Sequence, residues 1–187
     1  MELSTKSLAG AALLASLVIV LDYAVKYSGL KVPFPWIPFL KFDLTGIPIV
    51  LSLFLFGLAP GAFASAVAFI AILIRSGSIL SSSMKGLAEL LTVLGIFVGL
   101  KISSRFRLPA SFALGITFRS LVMMGVNFML ISMGLVLVPS SYKQILLIFI
   151  LLTGLFNVIQ GAISILGGYS IYMAIKKRVP SLTMSKD

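Results

Sequence analysis

Polar side chains interrupt three long apolar stretches of this sequence, and these side chains have the types and spacing to bind a ligand. Glu89 and Asn127 each lie inside one such stretch, and Asn157 and Gln160 lie together in a third. A spacing of three residues places Asn157 and Gln160 on one face of a helix. Polar groups are costly inside a membrane, so we expect the four side chains to line one site. The alternative is that the amides bond neighbouring helices to one another.

The sequence contains few side chains that could catalyse a reaction. The chain has no cysteine and no histidine, which excludes thiolate nucleophiles, imidazole acid–base chemistry and metal sites built on those side chains. A lone Glu89 without a second carboxylate close in sequence is poor material for hydrolysis. The chain also has no G-x-x-x-x-G-K phosphate loop. We therefore expect no enzyme, no metal site, no cofactor and no ATP motor of its own.

The composition indicates an integral membrane protein. Of 187 residues, 59% are hydrophobic and 11% are charged, too few polar residues to cover a soluble domain. The net charge of +10 fits basic flanks beside membrane lipid better than nucleic-acid binding, because the basic residues form no contiguous face with interleaved aromatics.

Six membrane helices are predicted, and the class is all-α integral membrane with one domain, residues 1–187. Gly57, Pro60 and Gly61 separate the second helix from the third. The serine-rich segment 75–86 is predicted to be a loop. The predicted helices are 8–27, about 47–57, about 61–75, about 86–103, about 109–137 and about 144–175.

The distribution of Lys and Arg predicts the orientation. Six crossings place both termini on one side, with eight basic residues there and six on the other side. By the positive-inside rule both termini are cytoplasmic, in a multi-pass protein of the cell membrane. The connector 28–47 then faces outward, and we expect it to act as a lid over an outward-facing cavity.

Three further residue patterns lead to expectations. Arg119 is interpreted as structural, paired with a helix terminus or a carboxylate, and Asp22 as solvated near the outer end of the first helix. Ala11 and Ala15 have the four-residue spacing of small residues that lets another helix approach closely. The helix that approaches belongs either to a partner or to the same chain.

The stretch "FLKFDLTGIPIVLSLFLFGLAPGA" (39–62) resembles the first loop and second helix of riboflavin-type S components of energy-coupling-factor (ECF) transporters. That family has the pattern F-L-K-x-D-x-[ST]-D-I-P. "RSLVMMGVNFML" (119–130) resembles the family's fifth helix and "FNVIQG" (156–161) its sixth-helix F-N-x-x-K-G. The matching residues are Phe39, Leu40, Lys41, Asp43, Thr45, Ile47, Pro48, Asn127 and Asn157.

Three positions depart from the family pattern. Gly46 stands where a second aspartate is usual, Glu89 where an asparagine is usual, and Gln160 where a lysine is usual. An amide such as Gln160 donates to a ring carbonyl without charge assistance.

The resemblance implies an S component that binds riboflavin from outside with high affinity and works with an ECF transmembrane coupling subunit and two ATPase subunits. Riboflavin would be the transported ligand and not a cofactor. The implied ligand-binding residues are Lys41, Phe42, Asp43, Thr45, Glu89, Asn127, Asn157 and Gln160. Ala11 and Ala15 match the A-x-x-x-A that contacts the coupling subunit. The alternatives are another flat vitamin or precursor (thiamine, a pterin or a modified flavin) and a membrane assembly protein.

Overall fold

Six α-helices and one two-stranded hairpin make up the part of the chain that this computed structural model describes, residues 5–102, 106–135 and 146–179. Five helices are long and apolar enough to cross a membrane, and the second is shorter. The prediction of an all-helical membrane chain with six helices is confirmed. The elements are α1 (Thr5–Tyr27), β1 (Val32–Phe34), β2 (Ile37–Phe42), α2 (Gly46–Phe56), α3 (Leu58–Ser76), α4 (Ile79–Lys101), α5 (Arg107–Ser132) and α6 (Leu146–Arg178).

Gly57 separates α2 from α3. Its φ of 93° lies in the region that favours glycine, and its N–H donates to the carbonyl oxygen of Leu53 to close the end of α2. Pro60 lies in the first turn of α3, where a missing N–H costs no helical hydrogen bond. The third helix therefore starts at Leu58 and not near residue 61.

The prediction of a loop over residues 75–86 is wrong for most of its length, because α4 begins at Ile79. The Ser78 side chain accepts a hydrogen bond from the Ser81 N–H at 3.2 Å and caps the helix. The Ser82 hydroxyl donates to the Ser78 carbonyl at 2.8 Å, so the helix itself satisfies the hydrogen-bonding groups of these serines in its first turns. Glu89 consequently lies about 15 Å along α4, at its middle and not one turn from its start.

The long helix α5 begins at Arg107, near the predicted 109, and α6 ends at Arg178, near the predicted 175. The predicted end of the fifth helix, about residue 137, lies outside the described residues. α5 ends at Ser132, and α6 has 33 residues, a length of about 50 Å. The predicted end of the fourth helix, the turn "VPSSYK", the predicted start of the sixth helix and both termini lie outside the described residues.

Small residues allow the helices of the bundle to pack closely. A Cβ at Gly95 would meet the Gly115 Cα at 2.8 Å, and one at Gly99 would meet the carbonyl carbon of Ala110 at 2.7 Å, so α4 and α5 touch backbone to backbone. The apolar centre of the bundle is formed by Val18, Ile49, Val50, Leu53, Ala64, Ala68, Val93, Ile96 and Ile165.

Ala11 and Ala15 are buried within the chain's own bundle, where α1 packs against α2 and α3. The neighbouring Gly10 packs on the ring of Phe56. Ala12 and Ser16, which have the same spacing, lie on the exposed side of α1. In this conformation Ala11 and Ala15 serve internal packing, and their contact with a partner stays a prediction.

The connector contains a β-hairpin, which the sequence analysis missed. β1 and β2 are antiparallel, with Val32 opposite Phe42 and Pro33 opposite Lys41. Phe34 and Ile37 at the turn are buried against Phe149 and Ile150 of α6. The connector is therefore a packed element of the bundle and not an open cover.

Candidate ligand-binding site

The connector descends along α6 towards the middle of the bundle. Phe39 lies beside Phe149, with ring centroids 6.2 Å apart, and Phe42 stacks on Phe156 at 4.9 Å. The chain then reaches Gln160 and enters α2, which has only 11 residues and an extent of about 16 Å. Because α2 is about half as long as a helix that crosses the membrane, Asp43 and Thr45 lie deep in the bundle. Both residues are buried, so this irregular backbone is surrounded by protein.

The Gln160 amide holds the backbone of Asp43 on both sides. Its Nε2 donates to the Asp43 carbonyl at 2.9 Å, and its Oε1 accepts from the Asp43 N–H at 3.2 Å. Both polar backbone groups of this buried residue are thereby satisfied. Gln160 was predicted to bind ligand, but in this conformation its amide anchors the end of the connector.

Charged side chains from three elements form one buried group, which we call the ion network (Asp43, Lys85, Glu89 and Arg119). Lys85 Nζ lies 2.9 Å from Asp43 Oδ1 and 2.6 Å from Glu89 Oε1. Arg119 Nη1 lies 3.0 Å from the same oxygen of Glu89. Its guanidinium also donates to Thr92 Oγ1 at 3.1 Å and to Asn157 Oδ1 at 3.2 Å. The predicted pairing of Arg119 with a carboxylate is confirmed.

Asp43 is ionised at the end of the connector. Burial alone would raise the pKa of its carboxyl, but the Lys85 ammonium and hydrogen bonds from Lys85 and Thr45 outweigh burial and lower the pKa from 3.8 to about 2. Thr45 contributes its N–H at 3.1 Å and its hydroxyl at 2.7 Å, both to Oδ1. Asp43 therefore connects the turn into α2 with the ion network.

The structure explains why residue 46 is a glycine. A Cβ at this position would lie 2.7 Å from the Ser164 Cβ and 2.8 Å from Glu89 Oε2. The Glu89 carboxylate thus takes the space beside the start of α2, where the partial positive charge of a helix N-terminus favours an anion. Within the described residues, Glu89 Oε2 has no hydrogen-bond partner.

Aromatic side chains fill the space between the hairpin and the helices. This aromatic cluster consists of Phe34, Phe42 and Phe156, with centroids 4.9–5.9 Å apart, and Trp36 meets Phe34 edge-on at 5.1 Å. Phe34 is 1% exposed. An outward-facing cavity is predicted here, but in this conformation the chain's own rings occupy that place.

Two surface cavities lie away from the ion network. One of about 300 Å³ opens between α3 and α4, lined by residues that include Ala62, Phe69, Gly86 and Leu87. The other lies beside Met173 and Lys177 near the end of α6. Neither is lined by a residue of the ion network or of the aromatic cluster.

Six of the predicted ligand-binding residues come together and two lie apart from them. Asp43, Thr45, Glu89, Asn157 and Gln160 belong to the ion network or bond to its members, and Phe42 belongs to the aromatic cluster. Asn127 donates to the carbonyl of Met123 in its own helix at 2.7 Å. Its spacing places it on the face of α5 whose Met124 and Ile131 pack against the cluster of buried residues from the hairpin and α6. Lys41 is exposed on β2.

Lys85 and Thr92 were not among the predicted site residues, and the prediction that Asp22 is solvated is wrong. Lys85 lies in the segment 75–86 that is predicted to be a loop, although its spacing of four from Glu89 is the signal for a helical ion pair. Asp22 is 1% exposed and not solvated. It bonds Lys31 at 3.1 Å and two nitrogens of Arg75, so it ties the start of the connector to the end of α3.

The fold of this chain is similar to that of a solved structure. That structure, reported as "Structure and mechanism of the S component of a bacterial ECF transporter", matches with a TM-score of 0.70 over 94% of this chain and 96% of that chain. The two chains are 19% identical, so the likeness establishes the fold, an S-component-like bundle. No protein-family profile and no curated protein sequence matches this chain.

Proposed function

We propose that this protein is the S component of an ECF transporter and binds riboflavin from the outer side of the cell membrane. The observation that carries the proposal is the convergence, in an S-component fold, of residues that the family motifs single out. Asp43, Thr45 and Asn157 come from distant parts of the sequence and meet beside the aromatic cluster. The identity of the ligand as riboflavin is inferred from the motif resemblance.

The ligand would enter between the hairpin and α6. Phe42 and Asp43 are consecutive, as are Phe156 and Asn157, so the aromatic cluster and the polar residues share one boundary. A flat ring that takes the place of the Phe42–Phe156 contact would gain stacking on one side and hydrogen bonds at its edge. The hairpin must move outward for this exchange.

Asn157 is the best placed amide to orient the ligand. It donates one amide hydrogen to the Thr153 carbonyl at 2.9 Å and accepts from Arg119. An amide has two hydrogens, so the second is available to a ring carbonyl. Asn127, which lies between Met124 and Ile131 on α5, would contact the ring from the side of that helix.

Uptake would need partners that supply energy. The sequence has no phosphate-binding loop, so ATP hydrolysis would come from two ATPase subunits through the transmembrane coupling subunit. The protein itself would be a non-enzymatic binding subunit. We propose α1 as the helix nearest the coupling subunit, with Ala11 and Ala15 as the predicted contacts and Ala12 and Ser16 already exposed.

The direct test is the visible spectrum of the protein purified in detergent. We expect flavin absorbance at a near-stoichiometric amount, or quenching of flavin fluorescence when riboflavin is added to flavin-free protein. A colourless protein that leaves the fluorescence of added riboflavin unchanged would contradict the riboflavin assignment.

Asn157→Ala tests the proposed role of the amide. We expect riboflavin affinity to fall by about 1–3 kcal/mol, because a buried carbonyl of the ligand loses its donor. Fluorescence titration measures the change. Ser111→Ala is the matched control, since Ser111 is a buried polar residue of α5 that bonds the carbonyl of Leu108. Equal affinities for the Asn157→Ala variant and the unmodified protein would remove Asn157 from the site.

A pterin is a second candidate ligand. Glu89 Oε2 is a buried acceptor without a partner among the described residues, and the amino-substituted ring of a pterin offers N–H donors. Displacement of bound riboflavin by pterin, followed by fluorescence, separates the two. A protein that binds neither would instead fit the alternative of a membrane assembly protein.

A further inference from the structure

The buried charges at the proposed site balance one another. The connector contributes the carboxylate of Asp43, α4 contributes Glu89 and Lys85, and α5 contributes Arg119. The polar groups that α6 presents here are uncharged: Asn157, Gln160 and Ser164. Two negative and two positive side chains therefore meet with no net charge.

The ion network has little access to water. Glu89 is fully buried, Arg119 is 2% exposed and Asp43 is 8% exposed. Lys85 is 15% exposed but has both carboxylates as partners. In such surroundings charges interact strongly, and an additional charge without a partner is costly to bury. Each charged side chain of the ion network already has an oppositely charged partner within the network.

The network is also close enough to a bound ring to influence its charge. Asp43 directly follows Phe42, and Asn157 directly follows Phe156, so any ring seated at the aromatic cluster lies beside the network. The charged residue Lys41 on β2 is exposed. The ring would thus sense the four buried charges and not that exposed one.

We propose that this balanced ion network selects a planar heterocycle whose ring carries no net charge, and that it rejects anionic and cationic rings. The inference rests on the proposed function, because it assumes that the ligand binds at the aromatic cluster. It adds a class of ligand: riboflavin and neutral pterins fit it, whereas the permanently cationic ring of thiamine does not.

The experiment uses the flavin as its own probe. The neutral flavin ring becomes an anion at alkaline pH by losing its N3 proton, with a change in absorption and fluorescence. In the unmodified protein loaded with riboflavin, we expect the titration midpoint to lie at higher pH than for free riboflavin, because a balanced, desolvated site disfavours the anion. A midpoint at lower pH than for free riboflavin would overturn the proposal.

Two charge variants sharpen the test. Glu89→Gln leaves a net positive network and is expected to lower the midpoint by about one pH unit or more relative to the unmodified protein. Lys85→Gln leaves a net negative network and is expected to raise it. The double variant restores balance and is expected to return the midpoint towards the original value. Identical midpoints in all folded variants would overturn the proposal.

Folding and ligand identity are controlled separately. Elution as a single species in detergent and the thermal unfolding midpoint identify variants that fail to fold, and the unmodified protein alone then decides by the direction of its shift. If riboflavin does not bind, the riboflavin assignment fails. The proposed selection of an uncharged ring is then tested by the binding of pterin and thiamine. Binding of pterin without thiamine supports this selection, whereas binding of thiamine, or of neither, overturns it.

Discussion

At the scale of single residues, the contact between Gln160 and Asp43 explains why a polar residue can lie on an apolar helix. One amide satisfies both backbone groups of Asp43, at 2.9 and 3.2 Å, in a region where water cannot do so. The spacing of three residues between Asn157 and Gln160 correctly predicted that both lie on one face of the helix. The sequence could not show whether the partner of Gln160 is a ligand or the backbone of the same chain.

Gln160→Ala should destabilise the protein because it leaves the N–H and the carbonyl of Asp43 buried without partners. We expect the free energy of unfolding to fall by about 2–4 kcal/mol, measured by denaturant titration in mixed micelles. Val158→Ala, at an exposed position of the same helix, is the control and should cost less than about 1 kcal/mol. Similar losses in the two variants would show that the Asp43 backbone does not depend on this amide.

Asp43 should make stability depend on pH in the acid range. Its folded pKa of about 2 lies below the ordinary 3.8, so its contribution is fully present above about pH 4 and is lost as the pH falls towards 2. The loss should reach about 2 kcal/mol in the free energy of unfolding. Asp43→Asn should flatten the profile in this window, and an unchanged profile would disprove the role of this carboxylate.

At the scale of elements, the connector is anchored at two ends of unequal strength. At its inner end Asp43 bonds Lys85, Gln160 and Thr45, and release would leave several buried groups unsatisfied. At its outer end Lys31 bonds Asp22, which keeps two contacts with Arg75 if Lys31 leaves. We therefore expect the hairpin to open at Lys31 and to pivot near Asp43.

Lys31→Gln should increase amide hydrogen exchange in β1 and β2, measured by mass spectrometry, with little change in the rest of the bundle. Lys85→Gln should cost more global stability, because Asp43 and Glu89 both lose a cation. Lys26→Gln is the matched control on the exposed end of α1. Equal exchange in the Lys31 and Lys26 variants would contradict opening at the outer end.

At the scale of the whole molecule, hydropathy predicted the number of helices because lipid selects apolar side chains along every span. The start of α4 was missed because its serines are satisfied by the helix itself, through the Ser78 cap and the bond from Ser82. Most contacts of the ion network and of the connector's two ends could not be predicted because they join distant positions. Asp43 and Gln160 are 117 residues apart, and Arg75 and Asp22 are 53 apart.

Orientation in the membrane can be tested with single cysteines, since the chain has none of its own. Leu30→Cys in the connector and Lys177→Cys at the basic end of α6 are both exposed positions. In intact cells we expect a membrane-impermeant thiol reagent to label the first and spare the second, as the positive-inside rule requires. The reverse pattern would place the hairpin in the cytoplasm.

The length of α6 has a consequence for the surrounding lipid. Its 33 residues extend about 50 Å, whereas the hydrocarbon core of a bilayer is about 30 Å thick. Burying the whole helix would require a tilt of about 50°, beyond the usual range for such helices. Bilayer thickness therefore bears directly on the inclination of the helix that holds Asn157 and Gln160, and a thicker membrane favours a more upright α6.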